Sequence, residues 1–395
     1  MGRSSRTGTV LPRAVVALGV VSLLTDISSE MIFSLLPAFL AARFPGAPLV
    51  LGTMEGLAEL VASGLKLLAG RWADRTARLR RLVIAGYSIS TAARPLMAVV
   101  TQWWQPLLVR SADRVGKGVR TPPRDALIAR WVPVEHRARA FSFHRGMDHL
   151  GAALGAAVAM GLTAAALQPE QVFLASAVPG VAALVALAFT KDPPQAMAEP
   201  AAATPGDARV PGSAWRFLAP VALFGLANST DAFLLLKLRE EGAALATLPA
   251  AWLLLHAVKA AASYPAGWWA DRVGPSRVVL VGWVLYAASY LGLAFSGSVG
   301  TTMAVIAFYG LYHALSEGAE KALLAQLTPP AALGRAFGRY HAISGVAALA
   351  AGPLFGALWT RAGSGAAFLT AGGMAAGAAA MLVALRPRPL TPAAR

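Results

Sequence analysis

Cysteine is absent from the chain. That excludes disulfides, thiolate metal sites and cysteine nucleophiles. Charge is scarce as well: 14% of the 395 residues are Asp, Glu, Lys or Arg, against about a quarter in an ordinary soluble domain. Acids are scarcer than bases, 19 against 35, for a formal net charge of +16. The motifs of hydrolytic chemistry are missing too. There is no H-E-x-x-H and no G-x-S-x-G, so neither a zinc protease nor a serine hydrolase is indicated.

Apolar residues are what the chain has, at 56%. A bilayer core about 30 Å thick needs about 20 apolar residues per helix. Runs of this kind cover residues 14–40, 49–69, 82–100, 151–166 and 172–189, with six more after residue 214. With residues 109–130 the count reaches about twelve spans. Lipid offers no partner to a bare backbone, so the spans are helices. Arg3, Arg6 and Arg13 ahead of the first run resemble a secretory leader. The apolar stretch continues to Leu40, too far for one.

The basic residues outside the spans are lopsided. One side takes Arg3–Arg13, the loop from Arg71 to Arg81, Arg130–Arg139, Lys191–Arg216, Arg272 with Arg277, Arg335 with Arg339, and Arg386–Arg395. The other takes little beyond Arg43, Arg239 and Arg361. The positive-inside rule places the first set, and both termini, in the cytoplasm. The net charge then faces anionic lipid headgroups, not nucleic acid.

One stretch tests this topology: "VRSADRVGKGVRTPPRDALIAR", residues 109–130. As a loop it would put a basic cluster on the outer face and send the next span in from the wrong side. As a phosphate loop it fails on spacing. Ser111 stands where the first Gly belongs, and Gly118 follows Lys117. As a helix, Arg110, Asp113, Arg114, Lys117, Arg120, Thr121 and Arg124 share an arc of about 140°. Such a row faces water or partner charges, not lipid. Pro122 and Pro123 are expected to break the helix below the row.

The chain repeats itself. "AGRWADRTARLRR" at 69–81 returns as "AGWWADRVGPSR" at 266–277, and "PRDALIARWVP" at 123–133 as "AEKALLAQLTP" at 319–329. "RAFSFHR" returns as "RAFGRYH", and "DISSEM" at 26–31 occupies the place of "NSTDAF" at 228–233. The shared offset of about two hundred residues makes this a duplicated six-helix unit. Each copy starts on the same side, so the repeats are parallel. The expected domains are residues 1–190, a Pro/Ala-rich cytoplasmic linker at 191–213, and residues 214–395.

These features resemble the major facilitator superfamily. Gly70, Asp74, Arg75 and Arg78 match its G-x-x-x-D-R-x-G-R loop motif, with Ala77 replacing the second Gly. Gly267, Asp271, Arg272 and Gly274 match in the second half, where Pro275 departs. Arg114 and Gly118 resemble the R-x-x-Q-G motif of the fourth helix, with Lys117 in place of Gln. Gly151 and Gly155 resemble the antiporter G-x-x-x-G-P motif, with Ala156 in place of Pro. The extended "DRVGKGVRTPPRDALIA" is similar to one bacterial branch of the superfamily. The resemblance implies an all-α integral membrane fold of twelve transmembrane helices in two six-helix halves. It implies that Asp74 and Arg78 govern the balance between conformations.

Ionisable residues within spans are functional candidates. Asp26 and Glu30 lie one turn apart in the first span, with Arg110, Arg114 and Lys117 as possible partners. Burial favours a neutral carboxyl and a nearby arginine favours the charge. A group held between the two can exchange a proton, so Asp26 and Glu30 are the proton-coupling candidates; a fixed ion pair is the alternative. Glu55 and Glu59 bind substrate or line a wet mouth, and Lys66 reaches for the inner surface. Arg145, Asp148 and His149, with His144, form a polar face that has no third metal ligand. Asp231, His256, Lys259, His313, Glu317, Glu320 and Lys321 are cavity candidates in the second half. Arg124-Asp125 and Glu320-Lys321 invert each other's charge order, which points to a salt-bridge gate between halves.

The expected function is a proton-coupled exporter of small polar or amphiphilic solutes in a bacterial inner membrane, acting as a monomer without cofactor or metal. The alternative is a proton symporter importing an organic anion. A channel fits a duplicated pair of halves less well than rocking about a central site, and an enzyme lacks its motifs.

Overall fold

The structure is a computed structural model that describes residues 11–75, 79–132, 137–190, 210–329 and 332–387. Among these residues all regular structure is helical. The first span is α1 (Arg13–Phe33) followed by α2 (Leu36–Arg43). They part at Ser34–Leu35, where Pro37 has no N–H to continue the ladder. Then come α3 (Ala47–Arg75) and α4 (Leu79–Ala93), which tightens into a 3-10 turn over Arg94–Val99 at Pro95. The fourth span is α5 (Gln105–Trp131), the fifth α6 (Arg137–Ala164), and the sixth α7 (Pro169–Ala175) with α8 (Ala177–Ala188).

The second half begins with α9 (Gly212–Ala227) and α10 (Ala232–Glu240), separated by an unwound stretch at residues 228–231. It continues through α11 (Thr247–Val273), α12 (Pro275–Phe295) and α13 (Val299–Gln326). The last two spans form α14 (Leu333–Leu385), which turns at Gly363, φ 85°. That is a left-handed value only glycine adopts cheaply. Twelve crossings result. Length and apolarity alone single out nine segments among the described residues. They overlook α5 and α11, which carry charge, and count α14 once.

One expectation fails. Pro122 and Pro123 do not break the fourth span; α5 runs through both. Each proline removes one backbone donor, and neighbouring elements hold the helix through the gap. Both α3 and α4 pack along α5. Thr121 Oγ1 also donates to the Lys117 carbonyl at 2.7 Å, adding a bond just above the prolines.

The two halves meet along α3 with α14, α6 with α11, and α2 with α10. We call the end holding residues 43–47 the far end, and the end holding both described termini the near end. At the far end the contact is backbone on backbone. A Cβ added to Gly52 would sit 2.0 Å from the Gly352 carbonyl oxygen, and one on Gly356 would sit 2.3 Å from that of Pro48. Small residues permit such close packing where lipid supplies no hydrophobic drive. Leu36, Phe39, Leu40 and Phe233 are buried there. Nearer the other end Lys117, Arg145, Glu317 and His341 are exposed. The halves are therefore closed at the far end and parted toward the near end.

Gly52→Ala is expected to wedge the far end apart. A single cysteine placed at Leu40 should react with a membrane-impermeant thiol reagent faster in that background than in the parent. Unchanged reactivity would contradict the proposed seal.

Candidate functional site

A cavity of about 310 Å³ lies between the halves and is lined by α1, α3, α5, the unwound 228–231 stretch, α11 and α13. An adjoining chamber of about 220 Å³ shares Glu55 and residues 228–230 with it and reaches Glu59. Arg110, Asp113, Arg114, Lys117 and Arg120 line the main cavity, while Thr121 and Arg124 of the same arc do not.

The row is held by a chain of charges. Arg94 Nε donates to Asp113 Oδ1 at 2.9 Å, and Arg110 approaches Asp113 Oδ2 at 3.5 Å. Arg110 also grips Glu55 with two bonds, Nε to Oε1 at 2.7 Å and Nη2 to Oε2 at 3.2 Å. Arg94 Nη1 donates to the Thr25 carbonyl at 2.9 Å, tying the chain to α1. All four charged side chains are buried. Burying ions this way costs several kcal/mol each unless geometry and extra hydrogen bonds compensate. The fork geometry of arginine supplies both here. Arg120 is also buried, with Nη1 donating to Ser90 Oγ at 2.6 Å and its guanidinium 4.6 Å from the centre of the Tyr87 ring.

The sequence offered Arg110, Arg114 and Lys117 as possible partners of Asp26 and Glu30. The structure pairs those arginines with Glu55 instead; Arg114 Nη2 lies 3.7 Å from its Oε2. Distance explains the change, because α3 packs directly on α5 while α1 packs mainly on α6 and α8. Gly151 and Gly155 make that possible, since a Cβ on either would fall 2.5 or 2.7 Å from an α1 carbonyl oxygen. Asp26 lines the cavity with no hydrogen bond or ion pair among the described residues. Glu30 accepts a hydrogen bond from Trp252 Nε1 at 2.6 Å, across the two halves.

In the second half Asp231 is the hub. Lys259 Nζ donates to it at 2.9 Å, Tyr309 Oη at 2.7 Å, and His313 Nε2 sits 3.2 Å away. His256 turns toward its own helix, with Nδ1 3.0 Å from the Trp252 carbonyl, and does not line the cavity. Glu59 contacts Ser63 and Lys66, the latter at 3.8 Å. Lys66 thus reaches back toward the cavity instead of snorkelling.

The inter-half gate drawn from Arg124-Asp125 and Glu320-Lys321 is not joined in this conformation. Arg124 closes on Asp125 at 2.8 Å. Glu320 is buried and accepts from Trp283 at 2.8 Å and Tyr340 at 2.6 Å. Lys321 leans on Glu317 at 3.7 Å. The polar link that does cross toward the near end is Arg145 to Glu317, 3.8 Å, with Arg145 also 3.7 Å from Asp148. Asp148 receives Ser22 Oγ and holds His144 Nδ1 at 3.4 Å, so it braces α6 on α1. His149 lines a crevice beside Arg145 and Glu317. In the loop motifs, Gly70, Asp74, Arg75 and Asp271 lie in helices, but their side chains are outside the described set, and Arg78 is outside the described residues. Arg272 stacks on Trp268.

Arg94, Ser90 and Trp252 are site residues that sequence reasoning passed over. Arg94 was detectable, as a lone charge inside the apolar run 82–100. Nothing in the sequence pairs Trp252 with Glu30.

Removing Glu55 should cost more than removing Asp26. Glu55→Gln strands the buried Arg110, a loss of about 3–5 kcal/mol for a broken buried pair, while Asp26→Asn strands nothing. Thermal unfolding in detergent should drop for the first and hold or rise for the second; equal drops would contradict the charge chain.

Comparison with known proteins gives the same architecture. The Major Facilitator Superfamily profile matches residues 18–258 and 242–395. An uncharacterized MFS-type transporter of Methanocaldococcus jannaschii is 30% identical over 357 residues, covering 88% of this chain and 89% of the relative. Multidrug resistance protein MdtH of Photorhabdus laumondii is 26% identical over 80% of this chain and 79% of its own. The crystal structure of the nucleoside transporter NupG superposes with a TM-score of 0.78 at 14% identity, covering 95% of this chain and 99% of that one.

Proposed function

The chain belongs to the major facilitator superfamily, and from that premise we propose that it is a proton-coupled secondary carrier exporting small polar or amphiphilic solutes by alternating access. It is a multi-pass membrane transporter and not an enzyme. The halves, residues 1–190 and 214–395, rock about the central cavity, joined by a cytoplasmic linker at 191–213. The protein acts as a monomer in the bacterial inner membrane with both termini inside. Asp74, Arg75 and Arg78, with Asp271 and Arg272, steady the state in which the near end is closed.

One observation carries the coupling. Asp26 and Glu30 share a water-accessible cavity with five lining cations, yet neither lies within ion-pair distance of any of them among the described residues. A carboxyl left unpaired is free to trade its proton as access switches; one locked in a bidentate pair, like Glu55, is not. The charged lining favours polar solutes over lipophilic cations. The far-end seal, made mainly of small residues and apolar surface, is one that a few kcal/mol of differential binding can open.

A second reading, uptake of an organic anion with protons, is favoured by the two cations of α5 that line the cavity without a close carboxylate partner, Arg114 and Lys117. The MdtH relative bears on export; the cavity charge bears on uptake.

Reconstituted protein, supplied with a solute identified by a growth screen of a deletion strain, should show saturable flux driven by ΔpH. Asp26→Asn and Glu30→Gln, tested singly, should leave folding intact while at least one uncouples flux from ΔpH. Full coupling in both would defeat the proton reading, and fast unsaturable flux would mean a channel.

A further inference from the structure

Within the cavity the charges sort into satisfied and unsatisfied sets. Glu55 and Asp113 are consumed by Arg110 and Arg94. Asp231 is consumed by Lys259. Arg120 is buried against Ser90 and Tyr87. Two cations remain. Arg114 has only a 3.7 Å approach to an oxygen that Arg110 already holds, and its Nε is buried without a hydrogen-bond partner. The ammonium of Lys117, three residues on, has no ion pair or hydrogen bond among the described residues, and the residue is exposed to the cavity. Residues three apart on a helix project side by side, with Cβ atoms about 5–6 Å apart. Their cations can converge on one ligand group. A buried donor without a partner costs free energy until something fills it.

We infer that Arg114 and Lys117 form the subsite for an anionic group of the transported solute, a carboxylate or phosphate. This rests on the carrier reading and holds for either direction of transport. The planar guanidinium suits an oxyanion, and the ammonium adds a compact charge beside it. The opposite wall defines the remainder of the solute. Asn228, Ser229 and Thr230 line the cavity from the unwound stretch, and Trp252 lies beside them. Asn228 Nδ2 is engaged by Tyr312, Ser229 Oγ by Tyr290 and the Trp252 N–H by Glu30; what remains is an amide oxygen, hydroxyl lone pairs and indole face, so the class is a small hydrophilic organic anion with hydrogen-bonding groups beyond its charge. Asp26, which lines the same cavity unpaired, opposes such a ligand when ionised and ceases to oppose it when protonated. Anion and proton therefore favour each other's binding.

The natural absence of cysteine permits a direct test. Thr230→Cys places one thiol on the cavity wall facing α5. Its labelling rate with 2-sulfonatoethyl methanethiosulfonate is compared with that of the trimethylammonioethyl reagent, each normalised to 2-mercaptoethanol. The anionic reagent should be favoured by about tenfold, as a field-focusing cleft favours its counter-ion. Lys117→Gln and Arg114→Gln should each cut that preference, Asp26→Asn should raise it, and inorganic phosphate should slow the anionic reagent. A preference at or below one, or one unmoved by both cation variants, overturns the subsite and leaves the carrier reading standing. A thiol inert to both reagents would defeat the carrier reading itself, because position 230 would not meet water.

Discussion

The chain of charges Arg94–Asp113–Arg110–Glu55 sets the terms for everything else in the first half. Four ions with buried side chains have little solvent contact even at the cavity wall, so each finds its partner inside the bundle. That requirement draws α4 to α5 through Arg94, α3 to α5 through Glu55, and α1 to α4 through the Thr25 carbonyl. Removing one member strands the next, so the four charges form one connected network. The cations left outside the chain, Arg114 and Lys117, sit on the same helix that the network pins to α3 and to Arg94.

The two halves solve the same problem differently although they descend from one unit. The first spends its polarity on arginine–carboxylate pairs. The second concentrates on one acid, Asp231, ringed by Lys259, His313 and Tyr309 and backed by an aromatic core of Trp283, Tyr286, Tyr290 and Phe224. At the duplicated position the first half keeps a helix through Asp26 and Glu30, while the second unwinds at residues 228–231. The unwound segment turns hydroxyls and an amide to the cavity. A broken helix at membrane depth is tolerated where it lines water. One wall supplies charge and the other supplies hydrogen bonds.

Much of this was legible before any coordinates. Apolar runs of fixed length, the one-sided arginines and the internal repeat together specify a duplicated twelve-helix bundle. The arc of charge from Arg110 to Arg124 specifies which face of the fourth span turns from lipid toward water or partner charges. Pairing was not legible, because periodicity says which way a side chain points and nothing about which neighbour stands opposite. Glu55 instead of Asp26 meets Arg110 because α3, not α1, packs flush against α5, and that follows from tertiary packing. The proline pair misled for a related reason: the local rule for a lone helix was overridden by the helices around it. Arg94 was missed although the rule that found Arg114 applies to it equally.

Alternating access asks for cross-half contacts of two kinds, and both are present. At the far end Gly52 lies on Gly352 over bare backbone, a contact made of dispersion and free of any bond that must be broken as a unit. Such a seam opens and closes at small cost per residue. Among the described residues other cross-half links are polar: the Trp252 indole on Glu30 at the cavity itself, and Arg145 on Glu317 toward the near end. The first depends on charge, since an ionised carboxylate is the stronger acceptor. The bridge that spans the cavity sits at the place where a solute must pass.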